Sequence, residues 1–295
     1  MKQSVSLVLS SGGARGLAHI GVIEALEHQG FEIKSVAGAS MGAMVGGIYA
    51  SGKLNVYRDW MSTLDKKAVF DLVDFTLSTS GLVKGNRVIK ELKKIIPDIN
   101  IDQLPISFTA VATDIKNKKE VILESGSLYE AVRASISIPS VFKPYKVDGM
   151  VLIDGGILNP IPVNRVKRSE NDLLIAVDVN SSLFSETQVA SQKASKWDKN
   201  ELSYFTFIKK NLFRFLPNTQ SDQFNYFTLL SQSASLMIQR ISEMSLETYH
   251  PDIVISIPKN SYGPFQFYKS EEIIKIGEKA ATKALMDYQI KKKYI

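Results

Sequence analysis

Apolar residues near the start of the chain fall into two patterns that alternate. Val5, Leu7, Val8 and Leu9 form a short dense run, as a buried strand requires, whereas Leu17, Ile20, Ile23 and Leu26 recur along one stripe of a helix. Gly30 supplies the stop. The form then repeats: Ile33 to Ala37 reads as a strand, Gly38 to Gly42 as a turn, and Met41 to Ala50 as a helix closed by Gly52. Two consecutive strand-loop-helix units predict a parallel sheet covered by helices, because parallel neighbours need a crossover connection of this length.

Further along, Val88, Ile89, Leu92, Ile95 and Ile96 mark an amphipathic helix. Ile106 to Ala112 and Val121 to Leu123 read as strands, and Leu128 to Ser135 as a helix that ends before Pro139 and Pro144. Met150 to Ile153, Leu173 to Val179 and Ile253 to Ile257 read as strands, and Glu271 to Tyr288 as a closing helix. Between 181 and 250 the composition shifts to Ser, Gln, Asn, Phe and Lys, with helical periodicity and no strand signal. The expectation is one α/β domain over 1–295, with a mostly parallel central sheet and a helical insertion at 181–250.

Composition narrows the chemistry. With 295 residues, 44% of them hydrophobic, the core needs neither disulfide nor structural metal, and the absence of cysteine removes thiol nucleophiles and thiolate zinc sites. Only three histidines remain, His19, His28 and His250, and they make no metal cluster. The net charge of +6 favours an anionic partner such as a phospholipid surface or a nucleic acid. The run from Val5 to Leu9 is too short for a signal peptide, and no apolar stretch reaches spanning length. The chain therefore reads as cytoplasmic, with any membrane contact peripheral.

Gly38-Ala39-Ser40-Met41-Gly42 is a G-x-S-x-G pattern between a predicted strand and a predicted helix. A strand turning sharply into a helix exposes the serine at a strained apex, and flanking glycines are required where a Cβ would collide with neighbouring backbone. Ser40 is thus the candidate nucleophile, set at a helix N-terminus that favours developing negative charge. Ser11-Gly12-Gly13-Ala14-Arg15-Gly16 has two readings. As a phosphate loop it lacks an acidic residue ending the second strand and the Lys-Ser or Lys-Thr of a Walker loop. As an anion cradle, its consecutive glycine N–H groups can hold an oxyanion.

A serine nucleophile needs a base. His250 is the only histidine after the serine and reads as a surface or capping residue before Pro251, while His19 and His28 share the first helix. Asp154 ends the run Met150 to Ile153, and Gly155 and Gly156 permit a tight turn there. A carboxylate serves as base when partial burial raises its pKa.

Together, Ser11 to Gly16, Gly38 to Gly42 and Asp154-Gly155-Gly156 resemble the patatin-like phospholipase family, in particular bacterial members related to the neuropathy target esterase catalytic domain. Ala112-Thr113-Asp114, Arg133-Ala134-Ser135, Pro139, Phe142 and Asn159-Pro160-Ile161-Pro162 match the same pattern, which covers Val5 to Val179. The resemblance implies a three-layer α/β/α patatin-like fold and acyl-ester hydrolysis by a Ser40–Asp154 dyad without histidine, metal or cofactor. It implies an oxyanion hole at Gly12 and Gly13, with Arg15 anchoring the loop or positioning an anionic head group. Arg15, Gly16, Gly38, Gly42, Gly155 and Gly156 complete the motifs. The implied partner is a lipid acyl ester, with peripheral contact to an anionic membrane and no nucleic acid. Ser11 stands where the family usually has glycine. A lipid-sensing or regulatory binding protein on the same scaffold is the alternative, although such a protein would be expected to lose Ser40 or Asp154. The cationic aromatic stretch Phe205 to Leu216 is expected either to pack on the core or to meet the bilayer.

Overall fold

In the computed structural model, residues 2–72, 85–139, 141–182 and 226–293 are described. The strands are β1 (Ser4–Leu9), β2 (Glu32–Ala39), β3 (Ser107–Asp114), β4 (Lys119–Leu123), β5 (Tyr145–Val147), β6 (Met150–Asp154), β7 (Leu173–Ser181) and β8 (Ile253–Pro258). The α-helices are α1 (Ala18–His28), α2 (Met41–Ala50), α3 (Leu54–Ser62), α4 (Lys66–Leu72), α5 (Asn86–Ile95), α6 (Leu128–Ser135), α7 (Tyr226–Tyr249) and α8 (Ser270–Lys293). The chain divides into two compact units, Met1–Ser182 with Met237–Ile295, and Leu183–Leu236. Of the second unit only residues 226–236, the first part of α7, are described.

Parallel strands run in the order β3-β2-β1-β7-β8, so the sheet is mixed but mostly parallel and carries helices on its flanks. Side chains alternate across it. Val5, Leu7 and Leu9 face a core shared with Leu17 and Ile20, with Ile48 of α2 and with Ile274 of α8. Val8, Ala37, Leu174 and Ala176 face the other way, against Ile161, Val163, Val166 and Leu246 of α7. Each fully buried Leu or Ile contributes about 1.5–3 kcal/mol, which is why the central strands are apolar on both faces.

The registers on β3 determine where the chemistry can sit. β4 occupies one edge of β3 from Ala110 to Asp114. On the other edge β2 pairs as far as Ala39 with Val111, and β6, running the opposite way, pairs Asp154 with Ala112, Ile153 with Thr113 and Leu152 with Asp114. The carboxyl ends of β2 and β6 therefore meet head to head along one strand.

Several sequence expectations change. The expected turn Gly38 to Gly42 contracts to Ser40 alone, since β2 pairs through Ala39 and α2 begins at Met41. β5 and β6 form a hairpin through Asp148 and Gly149, both at positive φ; Asp-Gly is the dipeptide such a turn selects, but β5 lacks apolar density. α3, whose stripe Leu54, Tyr57 and Met61 is buried at helical spacing, and α4, which buries nothing, are helices additional to those read from the sequence. Within 181–250 the structure has the end of β7 and the helix α7, and Phe205 to Leu216 lies outside the described residues. No helix among the described residues is long and apolar enough to cross a membrane.

Candidate active site

Ser40 is the single residue between β2 and α2, with φ 53° and ψ −120°. A side chain at positive φ costs roughly 1–3 kcal/mol and persists only where its surroundings fix it. Here the Ser40 N–H donates to Ser135 Oγ at 2.9 Å, and Ser135 Oγ in turn donates to the Val111 carbonyl at 2.7 Å. The Ser40 carbonyl accepts from the N–H groups of Ala43 and Met44, so the helix starts at once. Close approach explains the flanking glycines. A Cβ on Gly38 would lie 2.4 Å from the Gly42 backbone, and one on Gly42 would lie 2.2 Å from the Leu9 carbonyl oxygen.

The Ser40 hydroxyl donates to Asp154 Oδ2 at 2.5 Å across 114 residues of sequence. Asp154 Oδ1 accepts from the Gly156 N–H at 2.7 Å, and the Asp154 N–H donates to the Ser137 carbonyl. One carboxylate oxygen is thus fixed by its own turn and the other faces the serine. Asp154 is 5% exposed. Burial pushes its pKa up to about 6, against the opposing hydrogen bonds from Ser40 and Gly156. Gly155 turns beneath β3, where a Cβ would lie 2.1 Å from the Val111 carbonyl oxygen.

The Gly-rich loop lies against both partners. A Cβ on Gly16 would meet the Met41 side chain at 2.6 Å, and one on Gly156 would meet Ser11 Oγ at 2.8 Å. Gly13 has φ +56° and opens a short 3-10 turn, Gly13–Leu17. Among the described residues, the N–H groups of Gly12 and Gly13 donate no hydrogen bond, whereas Ser11 N–H donates to the Pro160 carbonyl and Ala14 N–H to that of Pro264. Two adjacent backbone donors are left open in a loop that packs against Met41, next to Ser40, and against Gly156, the partner of Asp154.

Arg15 is buried and points away from solvent. Its Nε donates to the Val179 carbonyl at 3.2 Å, Nη1 to the Tyr262 carbonyl at 3.1 Å and Nη2 to Asn180 Oδ1 at 2.7 Å. Of its two expected uses, this is the anchoring geometry. The histidines stand apart from Ser40 and Asp154. His19 is fully buried, with Nε2 2.9 Å from the Ser10 carbonyl, and burial lowers its pKa to about 4, so the ring is neutral and Nε2 carries the donated proton. His250 is exposed at φ 45°, where it ends α7 as a left-handed cap before β8, at the amino end of the parallel strands.

Residues 7–166 match the family profile described as Patatin: Patatin-like phospholipase. The chain belongs to the patatin-like phospholipase family. It is 31% identical to an uncharacterized NTE family protein of Mycobacterium tuberculosis, over 97% of this chain and 92% of that one. It is 29% identical to lysophospholipase NTE1 of Scheffersomyces stipitis, over 95% of this chain but 18% of that much longer protein. Among solved structures, that of VipD from Legionella pneumophila covers 97% of this chain and 67% of its own, at 16% identity and TM-score 0.48.

Two residues that hold the family's motifs in place were not legible in the pattern. Ser135 shows in sequence only as part of Arg133-Ala134-Ser135, with nothing to say that its hydroxyl supports Ser40. Asn180 follows an apolar run and carries no motif at all.

Proposed function

We propose that the protein is a serine hydrolase of lipid acyl esters, a phospholipase, lysophospholipase or esterase, working through a Ser40–Asp154 dyad. The observation that carries this reading is the 2.5 Å hydrogen bond from Ser40 Oγ to Asp154 Oδ2, with the carboxyl pKa raised to about 6 by burial. A carboxylate in that range is a competent general base near neutral pH. Ser40 Oγ attacks the acyl carbonyl carbon while its proton passes to Asp154 Oδ2. The open N–H groups of Gly12 and Gly13 receive the resulting oxyanion. Collapse expels the alcohol, which takes the proton from Asp154 and leaves the acyl group on Ser40. Water then attacks the acyl-enzyme as Asp154 accepts its proton, the fatty acid departs, and Ser40 Oγ recovers a proton.

Family membership supports the lipid class of substrate, and the lysophospholipase name of the fungal relatives agrees with it. The reading includes peripheral contact with an anionic bilayer, in line with the net charge of +6. That contact is tested by salt and by Lys209→Glu with Lys210→Glu, which should weaken vesicle binding but not turnover of a soluble ester.

The deciding experiment is labelling by a fluorophosphonate probe together with hydrolysis across phospholipid, lysophospholipid, triacylglycerol and short-chain p-nitrophenyl esters. Wild type should be labelled and Ser40→Ala should not. Equal labelling of both proteins refutes the nucleophile.

A further inference from the structure

Asn180 lies near the end of β7 and is 7% exposed, yet both polar ends of its side chain are engaged by the Gly-rich loop and its N–H by Asp178 of the same strand. Nδ2 donates to the Ser11 carbonyl at 2.5 Å, Oδ1 accepts from Arg15 Nη2 at 2.7 Å, and the Asn180 N–H donates to Asp178 Oδ1 at 2.9 Å. The amide can have only this orientation. A guanidinium only donates and a backbone carbonyl only accepts, so Oδ1 must face Arg15 and Nδ2 must face Ser11. Arg15 is itself fixed by the Val179 and Tyr262 carbonyls.

The consequence runs through one peptide bond. The unit joining Ser11 to Gly12 is planar and trans, so the Gly12 N–H points opposite to the Ser11 carbonyl. Whatever holds that carbonyl also aims that N–H. The Ser11 N–H is already committed to the Pro160 carbonyl, which fixes the preceding peptide, and the Ala14 N–H to Pro264, which fixes the loop beyond. Asn180 supplies the side-chain restraint on the peptide between them.

We propose that Asn180, itself oriented by Arg15, is a positioning residue for hydrolysis, which holds the Ser11 carbonyl so that the Gly12 N–H points at the developing oxyanion. This rests on the Ser40–Asp154 hydrolase reading. Truncation to alanine leaves the Ser11 carbonyl and one Arg15 donor without Asn180. Asn180→Asp keeps shape and its contact with Arg15, but turns a second oxygen toward the Ser11 carbonyl and repels it. The two roles separate in the readout: a residue that only stabilises the fold lowers Tm and leaves kcat of the folded enzyme unchanged, whereas a residue that aims a donor lowers kcat.

The test uses full-length wild type, Ser40→Ala, Asn180→Ala and Asn180→Asp with a soluble p-nitrophenyl ester, and records kcat, KM and Tm. It adds the inhibition constants of a trifluoromethyl ketone of matching acyl chain, which forms a charged tetrahedral adduct, and of the corresponding unreactive ether. Both Asn180 variants should lose about tenfold to a hundredfold in kcat, less than the loss of a whole oxyanion donor, with KM within about threefold. Ketone affinity should weaken by the same factor and ether affinity should not change. Retained ketone affinity despite a lost kcat, a loss in KM instead of kcat, or unchanged turnover each overturns the proposal. So does failure of both variants to fold, which would make Asn180 a residue of the fold. If wild type and Ser40→Ala behave alike, the hydrolase reading falls and takes this proposal with it, an outcome read from those two proteins alone.

Discussion

Asp154 presents Oδ2 to the Ser40 hydroxyl at 2.5 Å while Oδ1 is held by the Gly156 N–H, in a setting that raises the carboxyl pKa to about 6. The base must be ionised to take the serine proton. Activity should therefore rise with pH through about 6 and level off above it, as a single ionisation in kcat/KM. Asp154→Asn should lower kcat/KM by at least about a hundredfold. A profile governed by a group near 7 that vanishes with His250→Gln would refute the dyad.

The same burial has an effect on stability of opposite sign to that of most carboxylates. The folded-state pKa lies above the ordinary value of 3.8, so between about pH 4 and 6 the native state holds a proton that the unfolded state has released. Stability is then lost as pH rises through that window, and the penalty is fully present above it. Asp154→Asn removes the penalty, so it should be more stable than wild type at pH 8 by about 2–3 kcal/mol, an advantage that fades by pH 4. Urea denaturation of both proteins at the two pH values measures this. A variant less stable than wild type at pH 8 would contradict it.

Backbone strain at Ser40 is separable from its chemistry. Ser40→Ala and Ser40→Gly both remove the hydroxyl, but only glycine relieves a Cβ at φ 53° and ψ −120°. Ser40→Gly should exceed Ser40→Ala in stability by about 1 kcal/mol, although glycine ordinarily lowers stability by enlarging the freedom of the unfolded chain. Thermal unfolding of the inactive pair decides it.

Gly13→Val places a branched side chain at φ +56° and brings a Cβ 2.6 Å from the Pro264 carbonyl oxygen. The loop must shift, and with it the open donors. Turnover should fall by roughly 2–4 kcal/mol of transition-state stabilisation, while affinity for an unreactive substrate analogue changes little. Unchanged kcat would assign the loop to structure alone.

His28 and His250 stand apart from Ser40 and Asp154. Their joint replacement by Gln should leave kcat/KM within about twofold, whereas His19→Gln disturbs a fully buried ring that supports the Ser10 carbonyl and should show in Tm. Loss of activity in the double variant would restore a histidine to the mechanism.

By itself the sequence determined the local forms: the apolar runs of β1, β2 and β7, the helical stripe of α1, and the glycines where strand meets helix. Such features are legible because they answer to periodicity and to the absence of a Cβ, and both are properties of neighbouring residues. The tertiary structure decided what these forms bring together. Only the register on β3, with Ala39 opposite Val111 and Asp154 opposite Ala112, makes two antiparallel strand ends meet. Only the packing of α6 sets Ser135 beneath Ser40, and only the pairing of β7 with β1 brings Asn180 to the Ser11 carbonyl. A single polar side chain whose partner lies 95 residues away, as for Ser135, or 169, as for Asn180, repeats with no period and requires no special backbone, so its role is fixed by long-range packing and leaves no mark in the local pattern.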